Sequence, residues 1–504
     1  MRVHGFLYSA ALITLAGGCS SSQSPTSTAD ASGTGGSQDS STSDAPFGTG
    51  DTGTEGSIGS GDAADAATEA SDSGSGRDAL STPEASVPCD SSTCEAGVCV
   101  ADACVSPTVI AADVNLSQTP ITADRTCAEA PAYSVVALSP SEATLNAAPP
   151  EGCLEAGDEV LLINLQGIAS ATENVGNWEL LSIASVSGVT VQFTSPKTRA
   201  YGATAGSDDG IGPSGQKVAL VRVPHFDALT IAAGATVTAS AWNGQTGGVL
   251  AVRAGKLVVE GTVSAVGIGY RPGQWSDDGP NLCSQSVTTE AGESITGPGA
   301  DTTDSNLGGS GGISAGSDPF GDGTPSTPLG STPGHSLAGE AGTNGQDRTI
   351  GAPGQAYGAG DGTKLTMGSG PGGGLTCNPS AEGPVLIPIS VWVNRGGYPN
   401  PDQYQAGGII VLLADKLEIA PSGLVTARPI DAYRDVAFAG GYVFARGTSF
   451  SVGDTRIVAM GGTAAGSGAA AGMTRTASPG YIVLDAPNVS GTTNPPANWL
   501  AHDQ

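Results

Sequence analysis

The residues best suited to chemistry are cysteines. Cys89, Cys94, Cys99 and Cys104 recur at even spacing in CDSSTCEAGVCVADAC. Regularly spaced thiolates serve either zinc or disulfides. The paired CxxC spacing of common zinc ribbons is missing, and so short a segment cannot build a hydrophobic core. Disulfides are therefore expected to hold it as a small knot. Cys127 with Cys153, and Cys283 with Cys377, are paired here by proximity alone, since sequence does not dictate connectivity. Carboxylates come next. Asp208 with Asp209, Asp277 with Asp278, and Asp318 with Asp322 are the pairs that could hydrolyse a glycoside or hold calcium. Each lies in a Gly-rich turn, where Asp bonds its own backbone, and the turn reading is preferred. Asp318 and Asp322 remain the calcium candidates, although no complete loop signature surrounds them; no other cofactor is expected. The chain has 4 histidines, namely His4, His225, His335 and His502, too few and too scattered for a His-based triad or zinc site. Trp242 reads as the cap of an apolar column, whereas Tyr270 and Trp275 are candidate contacts for a ligand such as a sugar ring. Gly-x-Gly matches abound between 297 and 374, but as composition rather than as phosphate cradles.

The chain begins MRVHGFLYSAALITLAGGCSSS. A basic start, a short apolar run and small residues before Cys19 make a secretory signal over residues 1–18. The run is too short to span a bilayer. Cys19 directly after the small residues resembles a bacterial lipobox, with Ala16 where Leu is usual. That resemblance implies acylation of Cys19, cleavage before it and stable anchoring by several chains. Ser20 after the Cys is similar to lipoproteins sent to the outer membrane. The expected location is the outer membrane or cell surface, and the expected partners are the membrane, through the lipid, and polysaccharide or envelope proteins.

Composition agrees with an exported surface chain. It has 504 residues, 19 basic and 48 acidic, for a net charge of -29, which disfavours nucleic acid. Only 13% of residues are charged while Gly numbers 77, a balance that favours β structure with many turns. Residues 19–88 are Ser, Gly, Thr, Ala and Asp with almost no large apolar side chain, so they are expected to form a disordered, lipid-anchored tether. A flexible chain of that length reaches on the order of 45 Å. The knot of 89–104 follows, then a region of short strands over 105–228, as in GDEVLLINLQG, QKVALVRVPHF and the two-strand NWELLSIASVSGVTVQFTSP.

An internal repeat organises the rest. TGGVLAVRAGKLVVEGTVSA (246–265) aligns with AGGIIVLLADKLEIAPSGLVTA (406–427), then with AGGYVFARGTSFSVGDTRIVAM (439–460) and PGYIVLDAPNVSG (479–491). Gly248, Gly408, Gly441 and Gly480 share a column, as do Leu250, Ile410, Val443 and Ile482, and as do Leu257, Leu417, Phe450 and Val489. Val258, Glu418, Ser451 and Ser490 occupy a column that tolerates charge and so faces solvent. Units too small to bury their own apolar face, repeated in register, predict a stacked parallel β-helix or solenoid over 229–495. Hairpins in a sandwich or barrel would explain the alternation but not the shared columns. Residues 270–380, rich in Gly, Ser, Thr and Pro, interrupt the repeat as a long loop excursion or spacer. The expected fold class is all-β: a tether, a short-strand region and a β-helix or solenoid with a Gly-rich insertion.

Several segments in 157–275 carry a resemblance to a known group: GDEVLLINLQG, VGNWELLSIASVSG, TSPKTRAYG, QKVALVRVPHF and ASAWNGQTGGVLAVRAGKLVVEGTVSAVGIGYRPG. They are similar to a family of large bacterial surface proteins, some members of which are named adventurous gliding motility proteins of myxobacteria. Here Pro272 stands where GYRGG is usual, and Trp178 where GNYE is usual. The resemblance implies a surface location and a role in adhesion or motility, and it brings no catalytic residues. The functional expectation is a non-enzymatic surface lipoprotein with an adhesive or structural head. The rival is a tethered polysaccharide-degrading lyase or hydrolase on a β-helix. Ligand identity stays open at this point.

Overall fold

A computed structural model of the protein describes residues 98–100, 103–123, 125–273, 287–288, 291–298, 313–314, 332–340, 342–343, 349–351, 353–372, 405–430, 437–465 and 474–500. Cys19 and the tether, Cys89, Cys94, Cys283, Cys377, Trp275, Asp277, Asp278, Asp318, Asp322 and His502 lie outside them. Among the described residues there is no α-helix, and every regular element is a strand. The chain is all-β, as its β-branched runs and Gly-rich turns require.

The first strands, β1 (Val98–Val100) and β2 (Ala103–Val105), pair antiparallel with Cys99 opposite Cys104, and both cysteines are disulfide-bonded. Next come β3 (Thr108–Ile110) and β4 (Val114–Asn115). Six strands then close an antiparallel barrel: β5 (Ala132–Ser139), β6 (Glu142–Leu145), β7 (Glu159–Gln166), β8 (Trp178–Ser187), β9 (Thr190–Phe193) and β10 (Lys217–Val223). Beyond the barrel the chain winds in parallel coils. β11 (His225–Ile231) and β12 (Thr236–Thr238) make one coil, and β13 (Val249–Val259) with β14 (Thr262–Ser264) makes the next. The insertion contributes two short hairpins, β15 (Val287–Thr288) with β16 (Ile313–Ser314) and β17 (Gly342–Thr343) with β18 (Thr349–Gly351). Coiling resumes with β19 (Ile409–Ile419) and β20 (Leu424–Thr426), then β21 (Tyr442–Arg446) and β22 (Ser449–Val458). After a hairpin of β23 (Thr463–Ala465) and β24 (Thr474–Thr476), β25 (Tyr481–Asp485), β26 (Asn488–Asn494) and β27 (Asn498–Leu500) finish the stack.

Register proves the repeat. Leu250 pairs with Ile410, Ile410 with Val443, and Val443 with Ile482, all in parallel. Leu257, Leu417, Phe450 and Val489 form a second continuous column. The intervening column of Val258, Glu418, Ser451 and Ser490 lies on the outer face, with Glu418, Ser451 and Ser490 exposed. Each coil therefore buries an apolar stripe that its neighbours complete, as a solenoid requires. The glycine column has a steric cause. A Cβ on Gly441 would lie 2.0 Å from the Gly408 carbonyl oxygen, and one on Gly480 1.7 Å from that of Gly441. No side chain fits where one corner stacks on the next.

The first coil departs from the expected boundaries. β3 pairs in parallel with β11, and β4 with β12, so coiling begins at Thr108, ahead of the barrel. The short-strand region of 105–228 therefore does not simply precede the solenoid. Its barrel is an excursion between the first and second coils. A three-residue strand without a visible repeat partner carries no periodic signal, and the first coil was unreadable for that reason.

The barrel is fastened to the outside of the coils. Along β7, Val160 and Leu162 enter the barrel core, whereas Leu161, Ile163 and Leu165 join a separate apolar cluster. β10 divides likewise, with Val218 and Leu220 inside and Ala219, Val221 and Val223 outside. The same cluster contains Val249, Ala251, Ile409, Val411, Tyr442, Phe444 and Val483 from the outer face of the coils. Strands buried on both faces read as continuous apolar runs. EVLLINL and IIVLLA are such runs, and KLVVE beyond the interface returns to alternation. The described parts of the insertion cover the same face with Tyr357, Leu365 and Met367. Its glycines serve close approach: a Cβ on Gly370 would lie 1.9 Å from the Arg271 carbonyl oxygen.

Candidate functional site

The charged residues near the barrel–coil junction fall into two sets. The first is structural. Asp158, buried at the barrel mouth, binds Arg125 and accepts from Arg222 Nε at 3.0 Å, while Arg222 also reaches Glu129 at 3.3 Å. Burial alone would raise the Asp158 carboxyl. Hydrogen bonds from Arg125, the Glu155 amide and Arg222 outweigh it and hold the pKa below the ordinary value. Glu293, on the insertion, is buried and accepts from Gln166 Nε2 and Trp242 Nε1 at 3.0 Å each and from Arg271 Nε at 2.8 Å. It ties barrel, coil and insertion together.

The second set surrounds a cavity of about 380 Å³ where β1, β11, β13 and β19 meet. Its walls include His225, Asp227, Arg253 and Asp415, together with Val100 and Gly255. Parallel register explains the convergence. His225 pairs with Arg253 on the adjoining coil, and Phe226 pairs with Ala254, which sets Asp227 beside Gly255. The next coil pairs Ala254 with Ala414 and Lys256 with Lys416, which sets Asp415 on the other side of Gly255. Two carboxylates thus share one column with a glycine notch between them. Coils rise by about 4.8 Å, so their α-carbons stand roughly 9.6 Å apart. Val100 occupies part of the notch, for a Cβ on Gly255 would lie 2.5 Å from Val100 Cγ1 and 2.7 Å from the Asp227 carbonyl oxygen.

Arg253 is held from the barrel side. Its Nε and Nη2 donate to the two oxygens of Glu159 at 2.7 and 2.8 Å, a bidentate pair. His225 Nε2 lies 2.9 Å from the same carboxylate. Burial opposes ionisation of Glu159, but hydrogen bonds from His225 and Arg253 hold its pKa below the ordinary value. Among the described residues no group of three or more His, Cys, Asp or Glu is placed to hold a metal ion. The site can offer acceptors from Asp227 and Asp415, a donor from Arg253 and either role from His225.

The expected site residues fare unevenly. Tyr270, expected as a ligand contact, is fully buried: its hydroxyl donates to the Leu165 carbonyl and its ring meets Trp242 edge-on at 6.0 Å. Burial also drives its pKa well above the ordinary value. It is a core residue, because the residues after the third coil turn inward under the insertion. Trp242 is likewise buried. Asp208 accepts from the Tyr201 amide at 3.0 Å and pairs with Lys197 at 2.5 Å, a turn role. His335 is buried within the insertion, its Nδ1 2.7 Å from the Gly440 carbonyl and its Nε2 2.9 Å from Thr366 Oγ1. Cys127 and Cys153 are bonded. Sequence reasoning missed Asp227, Arg253 and Asp415. The available signal was a charge interrupting an apolar run, as in GVLAVRAGKL and VLLADKL.

No family model matches the chain. No curated protein matches it either. Among solved structures it is similar to phage tailspikes. One is the tailspike of Pseudomonas phage phi297, at 10% identity and TM-score 0.14, covering 77% of this chain and 63% of that one. Another is the tailspike of Acinetobacter baumannii bacteriophage AP22, solved with a capsular saccharide, at 10% identity and TM-score 0.13, covering 72% and 56%. The tailspike of Pseudomonas phage LKA1 stands at 12% identity and TM-score 0.13, covering 72% and 60%. The chain thus spans less than two thirds of each tailspike. The assignment of a β-helix rests on the strand register above rather than on these likenesses.

Proposed function

We propose that the protein is an exported cell-surface lipoprotein, held at the outer membrane by acylated Cys19, whose β-solenoid acts as an adhesive or structural head without catalysis of its own. The observation that supports this most is how the buried carboxylates are used. Glu129, Asp158, Glu293 and Asp485 each sit in ion pairs that fasten barrel, insertion and coils. That is the charge pattern of a scaffold. The sequence supplies the setting, with a signal, a lipobox-like Cys19 and a long acidic tether. Its resemblance to gliding-motility surface proteins supports surface attachment or gliding as the process served. A second reading, a tethered polysaccharide-degrading enzyme, is favoured by one feature only: Asp227 and Asp415 flank a single notch, and paired carboxylates can hydrolyse glycosides.

Fractionation of cells expressing Cys19→Ala tests the anchor. The variant should leave the membrane fraction for the soluble fraction or the medium. Unchanged membrane partition would refute the lipid anchor.

A further inference from the structure

We infer that the cavity at the β1–β11–β13–β19 junction binds a saccharide unit bearing a free ammonium group, that is, a hexosamine. The inference rests on the adhesive reading and gives it a ligand class. At about 380 Å³ the cavity is within the size range of small-molecule sites. Its charge decides the ligand. The guanidinium of Arg253 is already neutralised by the bidentate Glu159 carboxylate. The carboxylates of Asp227 and Asp415 have no hydrogen-bond or ion-pair partner among the described residues, and both residues are exposed and line the cavity. The uncompensated charge is therefore negative. It rejects uronates and sulfated sugars and attracts an ammonium, and the net charge of -29 adds to that preference at long range.

The remaining chemistry suits a ring carrying hydroxyls. Arg253 uses Nε and Nη2 on Glu159, which leaves Nη1 as a fixed donor. His225 is largely exposed and offers either a donor or an acceptor. An ammonium taken by the Asp227 or the Asp415 carboxylate, beside Val100, leaves the hydroxyls of the same ring to Arg253 and His225, which line the same cavity. A bare metal ion is a poorer match, because the described residues offer no cluster of three metal-ligating side chains here.

Isothermal titration of the mature chain carrying Cys19→Ala tests this at physiological salt, with glucosamine trimer, N-acetylglucosamine trimer and galacturonate trimer. The glucosamine trimer should bind, and the N-acetylated trimer should bind at least about tenfold more weakly, since acetylation removes the charge. The double variant Asp227→Asn/Asp415→Asn should lose about tenfold or more, with its urea midpoint unchanged. Glu142→Gln/Glu151→Gln removes the same charge from the barrel surface and should bind as the parent does. Equal loss in both double variants would reduce the effect to general electrostatics and overturn the site, as would equal binding of the acetylated trimer. If the glucosamine trimer fails while other glycans bind, the inference falls and the adhesive reading stands.

Discussion

Removing Ile410, Val411 or Glu418 one at a time separates the three environments of a single strand. Ile410 and Val411 are both fully buried, the first among the coil columns and the second against the barrel. Ile410→Ala deletes three carbons, about 2.4 kcal/mol of transfer free energy at ~0.8 per carbon, and a cavity term brings the loss to about 2–5 kcal/mol. Val411→Ala deletes two carbons, about 1.6 kcal/mol before the cavity is counted. Glu418 is exposed and pairs with Lys256 at 3.0 Å, with side-chain exposures of 50% and 20%. A pair so placed is worth about 0.2–1 kcal/mol, and Glu418→Lys should cost no more than about 1. Urea unfolding of the mature chain, followed by tryptophan fluorescence and circular dichroism, reads all three. A loss in Glu418→Lys equal to that in Ile410→Ala would refute the assigned faces. A silent Val411→Ala would refute the docked barrel.

Other perturbations probe the joints. Asp158→Ala leaves Arg125 and Arg222 buried without their shared partner and should cost about 3–5 kcal/mol in the same urea assay. Because the folded pKa of Asp158 is depressed, its contribution is present above the unfolded value near 3.8 and is lost as pH falls through the folded value, so the Asp158→Ala penalty should shrink below about pH 3.8. Burial lowers the His335 pKa from 6.5 to about 4, so the unfolded chain binds the extra proton first. Stability should fall as pH drops from about 6.5 to 4, by roughly 3 kcal/mol, and His335→Asn should flatten that part of the pH profile. The Cys127–Cys153 bridge closes a loop with a sequence separation of 26, and replacing both cysteines with Ala should cost about 3 kcal/mol by urea unfolding.

Much of the coil was legible because a solenoid repeats its demands. Gly441 must be glycine for the same steric reason as Gly480, and Leu250 must be apolar for the same reason as Ile410. Such columns can be aligned without any structure. The barrel closure was less legible, since β5 to β10 do not repeat one another and leave only alternation and turns to read. The docked face was written in the doubly apolar runs of β7, β10 and β19, which alternation alone does not distinguish from a simple strand. The cavity was unreadable for a different reason. Asp227 and Asp415 are far apart in sequence, separated by the excursion between the third and fourth coils, and only the stacking of the coils brings them into one column. Tyr270 shows the converse error. A tyrosine among glycines reads as exposed, yet the glycines let backbones close over it.

Binding and turnover on a panel of bacterial and plant polysaccharides, using the purified mature chain with calcium present, distinguish a binding head from an enzyme. At least one glycan should bind, and none should be cleaved. Appearance of reducing ends or unsaturated products, abolished by Asp227→Asn or Asp415→Asn, would contradict this and make the protein a tethered enzyme.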